Sequence, residues 1–279
     1  MPRVTTPAAS AFSAHFAPGS LRSRRVRTEC LSTLLAKGRV VSLYVAVCLS
    51  AFLAGVLVYR YDLYDREPWY LLLFAAGLGF ATMRVVATTE LWALGLVDAD
   101  VAEAAVAAIL EETTRLAAVV AIAFAFPRKF DDPMDGIIYG SIVGLGMAVE
   151  ESLHFLQAGR VAELLLFPQE LVRLLGHLVM GGIAGFGVGI GRMGTPGWRR
   201  ALVLSFSAAV ALHFSWDWVA LSAADRTTMS TGLALLAAAI MLAGIGIYGM
   251  LVVSGSRLSR QAFPPGSVRS LWGFPFKSR

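Results

Sequence analysis

Two carboxylates and a guanidinium interrupt one of the most apolar stretches of the chain. The run from Val101 to Phe126 reads VAEAAVAAILEETTRLAAVVAIAFAF, with Glu111, Glu112 and Arg115 in its middle and aliphatic residues on both sides. Inside a bilayer each such group costs about 2.5–3.5 kcal/mol on insertion scales, so it persists only when it is paired, neutral or next to water. We therefore expect these three residues to belong to a buried polar site.

The same arrangement recurs in three further apolar runs, because each carries two ionisable residues four positions apart. The four pairs are Glu111 and Arg115, Glu150 and His154, Arg173 and His177, and His213 and Asp217. Residues four apart lie on one face of a helix, so packing these faces inward would gather the pairs in one pocket. Glu151 points about 100° away from Glu150 around the helix, so we expect only one of these two carboxylates to face that pocket.

Each pair also has an ordinary structural explanation. An isolated Glu–Arg pair can hold two helices together, and a buried histidine or a His–Asp pair can simply complete a hydrogen-bonded core. Arg84 and Glu90, in another apolar run, are interpreted as such contacts between helices. Four pairs together favour acid–base chemistry with water, because carboxylates and imidazoles can take a proton from water and return it to a leaving group. Imidazoles could also hydrogen-bond a developing oxyanion or bind a metal ion.

The elements that must position these residues are long apolar helices. The 279 residues are 57 % hydrophobic and 15 % charged, with a mean hydropathy of +0.66, whereas soluble domains are about half apolar and a quarter charged. The apolar residues fall in runs long enough to cross a hydrocarbon core, which needs about 20 residues. The predicted spans are 41–59, 69–91, 101–126, 135–157, 171–191, 200–221 and 230–253. The predicted fold class is all-α, a polytopic membrane helical bundle of about seven to eight transmembrane helices.

The ends of the chain differ from this middle part. We predict a flexible basic N-terminal arm over residues 1–39, a transmembrane bundle over 40–254 and a disordered basic C-terminal tail over 255–279, with a short interfacial or re-entrant segment at 161–170. Basic residues beside a span set topology and contact anionic lipid, so the arm predicts a cytoplasmic N-terminus and membrane lipid as a partner. Seven spans would leave the basic tail outside, which the same rule disfavours, so an eighth crossing stays open.

Two classes of site are not expected. The two cysteines, Cys30 and Cys48, provide neither a disulfide framework nor a metal-ligand spacing. Binding to nucleic acid would need basic residues on a folded face, whereas the positive charge of this chain is concentrated at its two ends. Nucleic acid is therefore not an expected partner.

Five sequence blocks, in chain order, carry a resemblance to a known family. They read DREPWYLLLFAAGLG, ILEETTRL, FDDPMDGIIYGSIVGLGMAVEESLHF, RLLGHLVMGGIAGFGVGIG and HFSWDW. This part of the chain, residues 65–218, resembles the PrsW-type intramembrane proteases, whose superfamily also contains the CAAX prenyl endopeptidases and a scaffolding subunit of gamma-secretase. The resemblance implies a protease of a bacterial cytoplasmic membrane that cuts single-span membrane proteins, with an anti-sigma factor as the best-known example.

The resemblance also implies catalytic roles. Glu111 and Glu112 stand at the paired glutamates of the family, and Glu111 would activate water by analogy with the CAAX enzymes. Arg115 replaces the more usual lysine, and together with Glu112 it would set the charge and orientation of that group. His177 and His213 match the two histidines of the family and would stabilise the tetrahedral intermediate.

The remaining positions depart from the family pattern or support the first group. Glu150 stands at the glutamate of a Glu–Asn pair, and Glu151 occupies the asparagine position, which adds a charge near the pocket. Asp217 stands where asparagine is common and would hold His213 in one tautomer. Arg173 and His154 would support the site through the pairs described above, and the Asp–Gly entry to the fourth span is matched by Asp135 and Gly136.

No cofactor is required in this interpretation, although zinc is possible. Glu111, His177 and His213 could hold zinc with an open position for water, but the sequence lacks an H-E-x-x-H motif, which argues against the common zinc-protease arrangement. Two other functions stay open. One is a catalytically silent scaffold that binds transmembrane helices, and the other is a proton-coupled transporter, because intramembrane Glu and His residues also form proton relays.

Overall fold

Seven α-helices make up nearly all of the structure. The computed structural model describes residues 41–60, 66–97, 99–158, 166–224 and 230–262, and it contains no strand within these ranges. The helices are α1 Val41–Arg60, α2 Trp69–Leu94, α3 Asp100–Ala125, α4 Pro133–Ala158, α5 Leu166–Arg192, α6 Trp198–Ala224 and α7 Thr231–Ala262. The prediction of an all-α helical bundle is confirmed.

Six of these helices are long and apolar enough to cross a membrane, and α3 is the exception among the described elements. Its 26 residues extend about 39 Å at 1.5 Å per residue, which exceeds the thickness of a hydrocarbon core. It fails on composition, because it carries Glu111, Glu112 and Arg115 in its middle. Among the described helices, α3 is therefore set apart by ionisable residues in the middle of an otherwise apolar sequence.

Local sequence explains where several helices begin and end. Pro68 precedes α2, and Pro133 is the first residue of α4, a position where the missing N–H of proline costs nothing. Asp135 accepts hydrogen bonds from the backbone N–H groups of Asp131 and Asp132, at 2.7 and 2.8 Å, and so closes the entry to α4. The turn between α5 and α6 contains Gly194 at φ +63°, a left-handed conformation that glycine adopts without strain.

The centre of the bundle is an antiparallel pair formed by α4 and α5. In the apolar segment of α4, and likewise in that of α5, 83 % of the residues are buried, compared with 6 % in the apolar segment of α7. The two backbones touch at glycines, because a Cβ atom on Gly140 would meet the carbonyl oxygen of Gly181, and one on Gly144 would meet that of His177. Small residues permit this close approach in membranes, where van der Waals contact drives helix association. The rotation of α4 about its axis is thereby fixed.

The helices alternate in direction around this pair. Ser259 donates a hydrogen bond to Asp132 at 2.7 Å, and the hydroxyls of Tyr248 and Ser141 lie 3.3 Å apart, so α7 is antiparallel to α4. The neighbours of Gly182 and Gly244 place α7 parallel to α5. As a result, α2, α4 and α6 end at the face of the bundle where α3, α5 and α7 begin.

Two predicted boundaries differ from the observed ones. Residues 166–170, expected in a separate interfacial segment, form the first turn of α5, while 161–165 lie outside the described residues. Residues 255–262, expected in the disordered tail, continue α7 as helix, and 263–279 lie outside the described residues, as does the arm at 1–39. No eighth helix occurs within the described ranges.

Candidate active site

A cavity of about 280 Å³ lies near the end of the bundle where α2, α4 and α6 end. We call this end of the bundle the cavity face. The lining of the cavity comes from six helices, α2 to α7, and is mixed in character, with apolar walls and several ionisable groups. The cavity lining includes six of the residues singled out from the sequence, which are Glu111, Glu151, Arg173, His177, His213 and Asp217. Both members of two predicted pairs, together with Glu111 of a third, therefore line this cavity.

Glu112 and Arg115 lie beside this cavity and are fully buried. The guanidinium of Arg115 donates a hydrogen bond to Glu112 Oε1, and its Nη2 lies 2.8 Å from His177 Nδ1. A guanidinium can only donate hydrogen bonds, so His177 Nδ1 accepts and the proton of the neutral ring is on Nε2. His177 Nε2 in turn lies 2.8 Å from Glu151 Oε2. Both ring nitrogens of His177 are thus occupied by side chains of the site.

His213 faces carboxylates at both of its ring nitrogens. Its Nδ1 lies 2.8 Å from Glu112 Oε1, and an ionised carboxylate can only accept, so Nδ1 carries a proton. Its Nε2 lies 3.3 Å from Asp217 Oδ2 and 3.8 Å from Glu111 Oε2. The orienting contact expected from Asp217 is therefore made at Nδ1 by Glu112, whereas Asp217 approaches the other nitrogen.

Three carboxylates of this group, Glu111, Glu112 and Glu151, have a buried oxygen that accepts no hydrogen bond from a described residue. Glu112 does not line the cavity, and Glu151 Oε2 lies 2.8 Å from His177 Nε2, so of these three only Glu111 both lines the cavity and has no donor within hydrogen-bond distance. It is 5 % exposed, and its Oε2 accepts no hydrogen bond from any described residue. The nearest positive groups are Arg115 Nη2 at 3.9 Å and His213 Nε2 at 3.8 Å, which are too distant for hydrogen bonds. A buried acceptor beside a cavity is able to hydrogen-bond a water molecule or a substrate atom.

Glu150 and His154 do not join this group. Glu150 points to α2, where its Oε1 lies 2.6 Å from Arg84 Nη1, and His154 is exposed with its ring edge-on to Phe155. The fourth predicted pair is therefore directed away from the cavity, and Glu151 occupies the place that the resemblance suggested for Glu150.

The positions of the glycines in α4 indicate why Glu150 and Glu151 point in different directions. Gly144 contacts His177 on α5 and lies seven residues before Glu151, whereas Gly146 contacts Ala76 on α2 and lies four residues before Glu150. Spacings of four and seven return to the same face of a helix. Glu151 therefore lies on the face of α4 that packs against α5, and Glu150 lies on the face that packs against α2.

Two further carboxylates line the cavity without having been assigned to the site from the sequence. They are Glu90 near the end of α2, which was interpreted as a contact between helices, and Glu103 in the first turn of α3. A signal for Glu103 was present, because Glu103, Ala107 and Glu111 follow one another at intervals of four. Arg84, interpreted in the same way as Glu90, does join two helices through Glu150.

The zinc site considered from the sequence does not fit this arrangement. No group of three His, Cys, Asp or Glu side chains in the described ranges is arranged to hold a metal ion. His177, one of the three expected ligands, has Arg115 at one ring nitrogen and Glu151 at the other, so neither nitrogen offers a free lone pair directed at a metal.

Comparisons with known proteins give a consistent assignment. A family model described as PrsW family intramembrane metalloprotease matches residues 67–245. The Protease PrsW of Geobacillus kaustophilus (strain HTA426) is 31 % identical over 182 residues, which are 64 % of this chain and 79 % of that protein. The Protease PrsW of Bacillus subtilis (strain 168) is 29 % identical over 167 residues, 58 % of this chain and 74 % of that protein. No solved structure matches the chain. This chain, a helical membrane bundle, therefore belongs to the PrsW family of intramembrane proteases.

Proposed function

We propose that this protease hydrolyses a peptide bond of a membrane-spanning protein with water activated by Glu111. The observation that carries the proposal is the Oε2 atom of Glu111, which is buried at the cavity and accepts no hydrogen bond from a described residue. A general base must have such a free acceptor within hydrogen-bond reach of the proton it removes.

The reaction needs one base and no covalent intermediate. Glu111 takes a proton from water as the water oxygen attacks the scissile carbonyl carbon, and the carbonyl oxygen becomes an oxyanion. Glu111 then returns the proton to the amide nitrogen, the C–N bond breaks, and the carboxylate is regenerated. A positioned base of this kind contributes roughly 10²–10⁴-fold to the rate.

His213 is the group best placed to stabilise the oxyanion. Glu112 lies at its Nδ1, and Asp217 and Glu111 lie near its Nε2, so the proposed mechanism uses His213 with an N–H at each nitrogen. The Nε2–H beside Glu111 would then donate to the oxyanion. In other enzymes, removing one such donor lowers kcat by about 10²–10³-fold.

His177 has a different role in this proposal from the one expected. Because Arg115 and Glu151 occupy its two nitrogens, it positions these side chains and does not contact the oxyanion. The description of the family as metalloproteases implies a metal-bound water, but the donor set observed here does not fit a metal, and the proposed steps use none.

The proposed substrate is a single-span membrane protein, for example an anti-sigma factor, in a bacterial cytoplasmic membrane. Cytoplasmic segments are enriched in Lys and Arg, and such residues are frequent at the face opposite the cavity. The described ones are Arg60, Arg66, Arg128, Lys129, Arg192, Arg199, Arg200, Arg257 and Arg260. We therefore propose that the cavity face is extracytoplasmic. If all seven helices cross, the N-terminus is then outside, contrary to the expectation from the basic arm alone.

The test compares new protein N-termini in cells that make the wild type, Glu111→Gln or Glu150→Gln at equal membrane levels. Glu111→Gln keeps the shape of the side chain and removes the base, whereas Glu150→Gln changes a buried carboxylate outside the cavity. We expect new termini near the spans of one or a few membrane proteins in the wild type and in Glu150→Gln, and their loss in Glu111→Gln. Full cleavage by a correctly inserted Glu111→Gln protein would overturn the mechanism.

A further inference from the structure

The cavity is lined by more carboxyl groups than the proposed reaction uses. Of the carboxylates that line it, Glu151 is balanced by Arg173, whose Nε lies 3.3 Å away, and Glu111 and Asp217 lie beside His213. Glu90 and Glu103 remain. Neither side chain forms a hydrogen bond or a salt bridge with any described residue, and both are partly exposed at the cavity. Two carboxylates are therefore accessible to a ligand.

The two carboxylates lie at opposite kinds of helix end, so a nearby cation would stabilise Glu90 more than Glu103. Glu103 lies in the first turn of α3, where the positive end of the helix dipole favours a negative charge. Glu90 lies near the C-terminal end of α2, where the dipole disfavours one. Glu90 is also within an apolar span, so its charge is costly unless a positive group comes close.

A second feature of the same cavity supports a ligand site there. Glu111 is buried and lines the cavity, and no described residue hydrogen-bonds its Oε2. Between Glu103 and Glu111 the cavity surface of α3 consists of Ala104 and Ala107, whose small side chains leave room for a peptide backbone. The two glutamates thus lie at the two ends of one alanine-lined surface.

We propose that Glu90 and Glu103 form a subsite for a lysine or arginine side chain of the substrate. This inference rests on the proposed function, since it places the substrate backbone along α3 toward Glu111. The eight residues from Glu103 to Glu111 span about 12 Å of helix at 1.5 Å per residue. An extended chain advances about 3.3 Å per residue. The basic residue therefore lies three or four positions from the scissile bond.

The experiment measures binding apart from cleavage. The full-length Glu111→Gln protein is placed in phosphatidylcholine nanodiscs and titrated with three fluorescent single-span Leu/Ala peptides, which differ only in having Lys, Gln or Glu at one juxtamembrane position. We expect the Lys peptide to bind about tenfold more tightly than the Gln peptide, a difference of about 1.4 kcal/mol, and the Glu peptide to bind most weakly. Adding Glu90→Gln and Glu103→Gln together should abolish the preference, whereas Asp100→Asn, at an exposed carboxylate of α3 outside the cavity lining, should preserve it.

The outcomes separate the subsite from the mechanism. Equal binding of the three peptides, or a Lys preference that survives in the Glu90→Gln and Glu103→Gln protein, would overturn the subsite. A Lys preference that depends on Glu90 and Glu103, combined with cleavage that does not depend on Glu111, would support the subsite and remove Glu111 as the base. Because removing two unpaired carboxylates leaves no buried charge behind, the double variant should keep the same elution volume in size-exclusion chromatography as its parent.

Discussion

Replacing Arg115 by methionine should destabilise the bundle, and replacing Glu112 in the same chain should recover part of the loss. Arg115 is fully buried and is the cation that compensates Glu112, with which it forms a hydrogen bond. Methionine fills a similar volume but carries no charge, so Arg115→Met leaves Glu112 buried and without its guanidinium partner. His213 would remain as the neighbour of Glu112, at 2.8 Å.

The size of the effect follows from the distances. Two unit charges about 4 Å apart attract by about 4 kcal/mol at an effective dielectric constant near 20, and Arg115 Nη2 is 3.9 Å from Glu111 Oε2 and closer still to Glu112. Desolvation offsets much of this attraction, but removing one partner of a buried pair usually costs about 3–5 kcal/mol. We expect that loss for Arg115→Met, and a coupling of about 2 kcal/mol with Glu112→Gln.

The assay is a double-mutant cycle on the free energy of unfolding. Unfolding is measured in mixed micelles by the circular dichroism of the helices. The wild type, Arg115→Met, Glu112→Gln and the double variant are compared, with Arg200→Met, at an exposed arginine of α6, as the control that should change by less than about 0.5 kcal/mol. If the losses of the two single variants simply add in the double variant, the two side chains are not coupled and the reasoning from their contact is refuted.

Three shorter predictions concern activity, packing and orientation. Glu151→Gln should reduce peptidase activity by at least about tenfold, because it removes the negative charge beside His177 Nε2 and Arg173 Nε. Equal activity of Glu151→Gln and Glu150→Gln would contradict the observed placement of the two glutamates. Gly140→Ala should cost about 1–3 kcal/mol of unfolding free energy by overpacking, while Gly77→Ala, where a Cβ meets nothing within 4 Å, should cost none. Single cysteines in the α2–α3 connection should react with an impermeant maleimide added to intact cells, and those in the α3–α4 connection should not; the reverse pattern would invert the proposed orientation.

Much of this site could be predicted from spacing alone. Pairs at intervals of four define one face of a helix whatever the surroundings, which is why Glu111, Arg115, His177 and His213 were expected to meet, and they do. The prediction needed only that each apolar run be helical and that ionisable groups avoid lipid.

The details that could not be predicted depend on rotation and on third partners. Spacing does not say which way α4 is turned, and a rotation of about 100° separates adjacent residues, so the choice between Glu150 and Glu151 rests on tertiary contacts. Likewise, Glu112 and Asp217 are both plausible partners of His213, and only the packing of α3 against α6 places Glu112 at Nδ1. The position of Glu90 at the cavity could not be predicted either, because it depends on how six helices pack together.

The backbone contact between α4 and α5 has a mechanical consequence. Each glycine of this interface lies opposite a peptide carbonyl of the other helix, so a shift along the axis by less than one turn, about 5.4 Å, would break these close contacts. The two helices therefore resist sliding and behave as one rigid spine. In the proposed function, we therefore expect a transmembrane substrate to reach the cavity by displacing α2, α6 or α7, whose apolar segments are only 28 %, 22 % and 6 % buried, while α4 and α5, which hold Glu151 and His177, keep their positions.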